Sequence, residues 1–142
     1  MLHWSCLLAA RRAGPVLWGH AKGVNAVALA PDGSCLLSGG VDGTLRLWSA
    51  RGSGRALGRF NHGGAVTAVA FSPDGERYVS AGSDGQVKVW QSGSTDARAA
   101  WVPWPVNAVS FVFDGGTVLA AANNGVLALL DVSRMDVETG GK

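Results

Sequence analysis

Charged residues are scarce in this chain of 142 residues. They make up 15% of it, whereas globular proteins usually carry about 25%. Twelve lysines and arginines against ten aspartates and glutamates leave a net charge of +2, and no run of like charge is longer than the pair Arg11 and Arg12. Because charge-driven binding to nucleic acid or to a membrane surface needs clustered cations, the sequence disfavours both as direct ligands.

Cysteine is rare as well, since Cys6 and Cys35 are the two present. Two cysteines are too few for a disulfide scaffold, and they do not have the spacing of metal ligands. No apolar run approaches the roughly 20 residues that span a bilayer, and the first ten residues lack the basic leader of a secretory signal. We therefore expect a cytoplasmic or nuclear protein, not a secreted one, that holds neither a cofactor nor a metal.

Glycine, by contrast, is abundant, at 21 of 142 residues. Many of these glycines belong to Asp-Gly or Asn-Gly pairs, which supply the positive φ that tight hairpin turns require. The pairs come in three couples, with ten residues between the members of each couple and 42 and then 40 residues between successive couples. The six pairs are Asp32-Gly33, Asp42-Gly43, Asp74-Gly75, Asp84-Gly85, Asp114-Gly115 and Asn124-Gly125. This spacing predicts three copies of one hairpin-rich unit.

Between the turns, apolar residues alternate with the period of two that half-buried strands require. The first three strands of each copy are predicted at Val24–Leu29, Ser34–Ser38 and Thr44–Trp48, at Val66–Phe71, Glu76–Ser80 and Gln86–Trp90, and at Val106–Phe111, Gly116–Ala120 and Val126–Leu130. A fourth, less regular strand fits Ala56–Asn61 and Ala97–Val102. Four short antiparallel strands in about 40 residues are typical of a propeller blade. The predicted fold is therefore all-β, an incomplete β-propeller of about three four-stranded antiparallel blades.

Two of the copies also share a polar signature around their turns. In the first copy it comprises Gly19-His20, Pro31-Asp32-Gly33, Ser38-Gly39-Gly40, Asp42-Gly43 and Leu47-Trp48. In the second copy it comprises Asn61-His62, Pro73-Asp74-Gly75, Ser80-Ala81-Gly82, Asp84-Gly85 and Val89-Trp90. This signature resembles the WD repeat, although Asn61 stands where that family prefers glycine. The resemblance covers roughly residues 15 to 131, and its third copy has lost the polar signature.

The repeats suggest how the chain is divided. Residues 19–61 form the first blade, 62–103 the second and 104–131 a degenerate third. Residues 1–18 resemble the third and outer strands of a preceding blade, and residues 132–142 are a polar tail or the start of an outer strand. Closed propellers have about four to eight blades, so this organisation resembles a fragment or isoform of a larger WD-repeat protein.

The resemblance also bears on a set of residues that could suggest catalysis. His20, Ser38 and Asp42, and again His62, Ser80 and Asp84, are the residue types of a nucleophilic hydrolase. They also match, position by position, the hydrogen-bonded tetrad that WD repeats use inside each blade, with Trp48 or Trp90 as the fourth member. The resemblance therefore implies a role in stability, and solvent access to the two serines distinguishes this role from a hydrolase.

The resemblance implies a non-catalytic scaffold that holds other proteins in a complex. The family's usual contact positions fall at the start of each first strand and just before the Asp-type turn. These candidate partner-binding rim residues are Asn25, Thr67, Asn107, Val41, Ser83 and Asn123. The partners would be other proteins, the missing blades of a parent propeller, or further copies of the chain, because open blade faces and strand edges favour association. A truncated product with little independent function remains an alternative, and a Ser/His/Asp hydrolase is a less favoured one.

Overall fold

The computed structural model describes residues 19–50, 56–92, 97–112 and 116–138. Within them, twelve β-strands and one short 3-10 helix follow one another along the chain. The strands are β1 (Val24–Leu29), β2 (Cys35–Gly40), β3 (Thr44–Ser49), β4 (Ala56–Asn61), β5 (Val66–Phe71), β6 (Arg77–Gly82), β7 (Gln86–Gln91), β8 (Ala97–Trp101), β9 (Val106–Val112), β10 (Thr117–Ala122), β11 (Leu127–Asp131) and β12 (Asp136–Glu138). The 3-10 helix covers Val132–Arg134. The blade remnant predicted at residues 1–18 and the turn predicted at Asp114-Gly115 lie outside the described residues.

The hairpins form where the glycine pairs predicted them. Five of the six turn glycines are described, and their φ angles lie between 75° and 88°. The residue before each of these glycines accepts a hydrogen bond on its side chain from the backbone N–H two positions further on, as Asp32 does from Ser34 at 2.9 Å and Asn124 does from Val126 at 3.2 Å. The turn conformation and its local hydrogen bond thus come from the same two residues.

The strands form three antiparallel sheets. The first sheet has the order β1-β2-β3-β4, the second β12-β8-β7-β6-β5 and the third β9-β10-β11. This arrangement confirms the predicted fold class, an incomplete propeller of antiparallel sheets. The strand numbers differ from the four predicted for each blade, since the second sheet has five strands and the third has three.

The extra strand of the second sheet comes from the end of the chain. β12 pairs with β8, so that Asp136 lies opposite Ala99 and Glu138 opposite Ala97. Between β11 and β12, the side chains of Val132 and Met135 are buried in the cluster shared by the second and third sheets. Because burial of these two apolar residues favours that path, the strand that follows lies on the second sheet instead of completing the third.

The sheets pack against one another through apolar side chains. Between the first and second sheets, Leu37 and Leu45 pack with Val66 and Val69. Between the second and third sheets, a second cluster forms from equivalent positions, which include Val79, Val87, Val106 and Val118. The described residues include no helix with the length and hydropathy needed to cross a membrane.

Candidate interaction site

Each repeat has a β-bulge where its first strand begins. The pairing of β1 with β2 shifts register between Val24 and Ala26, which leaves Asn25 as the extra residue. The same shift occurs around Thr67 in the second sheet and around Asn107 in the third. A bulge bends the strand and changes the direction of its side chain. The three predicted rim residues of the first strands therefore occupy one recurring backbone feature.

Two of these bulged side chains bond to the neighbouring sheet. The Asn25 amide donates to the carbonyl oxygen of Val66 at 2.9 Å, and the Thr67 hydroxyl donates to the carbonyl oxygen of Val106. Val66 and Val106 occupy the same position in consecutive repeats. Asn25 and Thr67 thus help to join adjacent sheets, a role that the sequence did not indicate, whereas Asn107 lies exposed at the same position of the third sheet.

The other three rim residues lie beside the bulges. The backbone N–H groups of Val41, Ser83 and Asn123 donate to Gly23, Ala65 and Pro105, respectively, at 2.9 to 3.1 Å. Each of these bonds fixes the turn between the second and third strands against the residue just before the first strand. All three side chains are exposed. The structure therefore brings the six predicted positions to the same end of the sheets, where they present a small and uncharged surface.

The first repeat contains a continuous polar network. The Trp48 indole N–H donates to Ser38 Oγ at 2.9 Å, and Ser38 Oγ lies 2.7 Å from His20 Nε2. His20 Nδ1 lies 3.2 Å from Asp42 Oδ1. Since a carboxylate only accepts hydrogen bonds, Nδ1 of His20 donates to Asp42, and in a neutral ring Nε2 then accepts from the Ser38 hydroxyl.

Asp42 is held by more donors than its tetrad partner alone. Burial by itself would raise the pKa of Asp42, but hydrogen bonds from the Ala21 N–H, the Thr44 hydroxyl and N–H, and His20 outweigh it and hold that pKa well below its usual range. The Thr44 hydroxyl makes the shortest of these bonds, at 2.8 Å. Thr44 is a network member that the family resemblance did not supply, although its place directly after the Asp-Gly turn brings it within reach.

The second repeat brings the same four residue types together, with a different ring orientation and a longer distance between histidine and aspartate. The Trp90 indole N–H donates to Ser80 Oγ at 3.1 Å, and Ser80 Oγ lies 2.8 Å from His62 Nδ1. His62 Nε2 faces Asp84 Oδ1 at 3.8 Å. The Asp84 side chain is 31% exposed, whereas that of Asp42 is 10% exposed. The carboxylate of the second network is thus more open to water.

A glycine makes room for each histidine and aspartate. A Cβ atom on Gly40 would lie 2.6 Å from His20 Nδ1, and one on Gly82 would lie 2.7 Å from His62 Nε2 and 2.8 Å from the carbonyl oxygen of Ala65. Real Cβ atoms do not approach other atoms so closely. The third repeat has Ala122 at this position and no histidine beside it.

The serines of the two networks are closed to substrates. Ser38 is 6% exposed and Ser80 is fully buried, and each hydroxyl oxygen already accepts an indole N–H bond. A serine nucleophile needs an accessible reacting centre with oxyanion donors beside it. In the described part of the chain, no group of three or more histidine, cysteine, aspartate or glutamate residues could hold a metal ion.

A buried tyrosine lies between the first and second sheets, away from the rim. Tyr78 is 1% exposed, and its hydroxyl has no hydrogen-bond partner among the described residues. Burial, together with the nearby Cys35, raises the pKa of Tyr78 to about 12. Both residues line a shallow cleft between the Asp-Gly turns of Asp32 and Asp74. The sequence motifs did not identify this tyrosine, because the strand pattern predicts a buried side chain at its position without indicating any particular role.

Comparison with known protein families agrees with the repeat pattern. Residues 14–49 and 54–91 match the family model described as WD domain, G-beta repeat. The two matched segments contain both tetrads, and together they cover just over half of the chain. No curated protein shows significant similarity to the chain.

Proposed function

Because this chain belongs to the WD-repeat family, we propose that it acts as a non-catalytic scaffold that binds other proteins through its rim. Repeats of this family generally mediate interactions between proteins. The observation that carries the proposal is the recurrence of one exposed arrangement in all three sheets, a bulge at the start of the first strand beside an anchored turn. Three such arrangements at the same end of the sheets offer a partner one continuous contact surface.

The chemistry of the rim points to a protein partner. Its six positions carry no charge, so they lack the lysine and arginine that nucleic acid binding requires. Val41 adds an apolar side chain that is 42% exposed, and the neighbouring serine and asparagines add hydrogen-bonding groups. A mixture of exposed apolar groups and uncharged polar groups is typical of protein interfaces whose cores are depleted of charge.

The buried networks support the non-catalytic part of the proposal. Each serine is bonded to both a histidine and an indole, and neither is open to a substrate. Cys35 has a free thiol, which is common in the reducing cytoplasm and nucleus, and we place the scaffold there as part of the same proposal. Imaging of the tagged protein in cells checks this location.

The decisive experiment changes the three rim residues beside the turns, whose side chains make no bond between sheets. In the variant with Val41→Arg, Ser83→Arg and Asn123→Arg, long charged side chains should block a partner without disturbing the strands. Affinity capture from cell extract followed by mass spectrometry should show partners that bind the wild-type chain and are lost from this variant.

The matched control places arginines at the opposite ends of the strands. Glu76 and Ser92 are exposed there, and Glu76→Arg with Ser92→Arg should retain every partner. Circular dichroism should show the same β spectrum and melting temperature for all three proteins. If the rim variant retains the same partners as the wild type, the rim is not the binding surface.

A further inference from the structure

Each end of the stack of sheets presents an apolar face. On the first sheet, the entry face consists of Val24, Val27 and Leu29, which are 54%, 72% and 59% exposed. On the third sheet, the exit face consists of Leu119, Leu127 and Leu129, of which the last two are 67% and 68% exposed. Isolated apolar residues are common on protein surfaces, but clusters of them mark interaction sites.

The repeat spacing shows which interior residues the entry face matches. Moving 42 residues along the chain from Val24 and Val27 leads to Val66 and Val69 of β5. Val66 is fully buried and Val69 is 9% exposed, because both pack on the first sheet. The entry face therefore has the side chains that a sheet uses to pack on the sheet before it.

The exit face matches the other half of the same contact. Moving back 40 residues from Leu127 leads to Val87, and a further 42 residues back leads to Leu45. Both of these residues are fully buried, Leu45 against the second sheet and Val87 against the third. One chain thus carries both complementary halves of a contact that it already makes twice internally.

A polar group at each end completes the match. Inside the chain, Asn25 donates to the carbonyl oxygen of Val66, and Thr67 donates to that of Val106. The next donor position in this series is Asn107, which is exposed. The corresponding acceptor is the carbonyl oxygen of Val24 on the entry face.

We propose that two copies of this chain associate head to tail, with the exit face of each copy packed on the entry face of the other. Asn107 of one copy then donates to the Val24 carbonyl of its partner, as Asn25 and Thr67 do within one chain. The described sheets of two copies number six, which lies within the range of about four to eight blades in closed propellers. A head-to-tail contact closes into a ring when its rotation allows, and here the second contact closes the ring.

This association is separate from the proposed rim function. The two faces are the flat sides of the terminal sheets, whereas the rim lies at the strand ends; Asn107 belongs to both, and the rim variant leaves it unchanged. The rim variant with arginines at Val41, Ser83 and Asn123 should therefore keep the mass of the wild-type protein. Failure of one proposal leaves the other intact.

Sedimentation velocity and light scattering of the full chain test the association. Over a concentration series, the wild-type protein should reach a mass twice the 14.6 kDa of one chain. Val27→Arg on the entry face and Leu127→Arg on the exit face should each yield a monomer, because each change damages one partner in every contact. Both side chains are exposed within one chain, so the far-ultraviolet circular dichroism spectrum should not change.

Mixing the two variants distinguishes a head-to-tail contact from other modes. The Val27→Arg chain keeps its exit face and the Leu127→Arg chain keeps its entry face, so the mixture should form a heterodimer through one intact contact. If like faces paired instead, each variant would still dimerise alone. Leu57→Arg is the matched control, since Leu57 is 58% exposed on β4 and outside both faces, and it should leave the dimer unchanged.

The hydrogen bond across the contact has a smaller expected effect. Asn107→Ala should weaken the dimer about thirtyfold, which corresponds to two intermolecular hydrogen bonds, one in each contact of the ring. Should one variant unfold, Val24→Arg and Leu129→Arg replace the entry and exit changes in the same mixing experiment. A wild-type chain that stays monomeric at all concentrations, or a mixture that forms no heterodimer, overturns the proposal.

Discussion

The first two repeats and the third repeat place different chemistry at the same four positions. The first two have histidine, serine, aspartate and tryptophan. Hydrogen bonds join all four in the first repeat, whereas in the second they join the tryptophan, serine and histidine, and Asp84 lies 3.8 Å from His62 Nε2. The third has Val102, Ala120, Asn124 and Leu130. Ala120 is 2% exposed, and Val102 and Leu130 pack against the same apolar cluster. All three repeats nevertheless form three antiparallel strands with a bulge at the same place.

The difference separates two levels of structure. The glycine turns and alternating apolar residues are enough to form and stack the strands, since the third sheet does so without a polar network. The second and third repeats also begin with the same backbone hydrogen bond to the turn of the preceding repeat. The N–H of His62 donates to the carbonyl oxygen of Gly43 at 2.9 Å, and that of Val102 donates to the carbonyl oxygen of Gly85 at 2.8 Å. Apolar packing therefore determines the arrangement of the strands. The polar networks should add to the stability of that arrangement without determining it.

The largest expected effect comes from filling the space beside a histidine. Gly82→Ala places a methyl group against His62 and the backbone oxygen of Ala65, and such overpacking should lower the free energy of unfolding by roughly 3 kcal/mol. The matched change in the third repeat, Ala122→Gly, should cost only about 0.5 to 1 kcal/mol through added backbone freedom. Chemical denaturation measures both values. Equal losses would mean that the second network does not require the space.

A smaller effect should distinguish the two networks from each other. Asp42→Asn replaces one half-buried carboxylate oxygen, which faces several donors, by an amide group that itself donates, and it should cost roughly 2 kcal/mol. Asp84→Asn should cost less, because water can reach the exposed Asp84 carboxylate and replace lost bonds. Thermal and denaturant unfolding compare the two variants with the wild type. A greater loss for Asp84→Asn would reverse the ranking of the networks.

Asp42 should also make the stability of the protein sensitive to acid. The folded pKa of Asp42 lies below its ordinary value of 3.8, so the folded state favours the ionised carboxylate. The stability that this provides is present above pH 3.8 and is lost as the pH falls further. Unfolding curves between pH 6 and pH 2 should show a steeper acid loss for the wild type than for Asp42→Asn.

The smallest expected effect is an increase in stability. Position 78 is Tyr78 in the second repeat, whereas the equivalent residues are Leu36 and Val118 in the other two. Tyr78→Phe removes a buried hydroxyl that has no bond among the described residues and should stabilise the protein by roughly 1 kcal/mol. Denaturant midpoints measured at neutral pH test this, and a loss of stability would show that the hydroxyl has a favourable contact.

Alkaline unfolding provides a second test of the same residue. The pKa of Tyr78 rises from 10.0 to about 12 on folding, so the folded state retains the proton. This stability is present below pH 10 and is lost as the pH rises through 12, as the unfolded chain ionises first. The difference in stability between wild type and Tyr78→Phe should therefore widen in favour of the variant over this range.

The sequence predicted those features that depend on local chemistry. The turn glycines and the alternation of apolar residues placed all eleven strands of the three repeats within one or two residues. The family signature predicted that four residues share one site, namely His20, Ser38, Asp42 and Trp48. The bulges were not predicted, because the change of alternation that they cause lies at the first residues of each strand, where too few residues precede it to show a period of two.

Features that depend on contacts between residues far apart in the chain could not be predicted from the sequence. The bonds of Asn25 and Thr67 to the next sheet were not predicted, because an alignment of the repeats does not show which residues of neighbouring sheets lie close together. The pairing of β12 with β8 was missed for the same reason, since Val132 and Met135 favour one cluster over another only once the sheets are stacked. The three residues of β12, of which two are acidic and disfavoured in strands, gave no sign of the sheet that they would join.

The position of β12 has a consequence for how the protein is made. A ribosome releases the chain from its N-terminus, and domains begin to fold as they emerge. The first sheet can therefore complete itself early, but the middle sheet must wait for the last few residues of the chain before it gains its fifth strand. Because β8 ends at Trp101 and β12 begins at Asp136, the edge of β8 stays open during synthesis until the residues between them have been translated, and an open strand edge can pair with a neighbouring polypeptide.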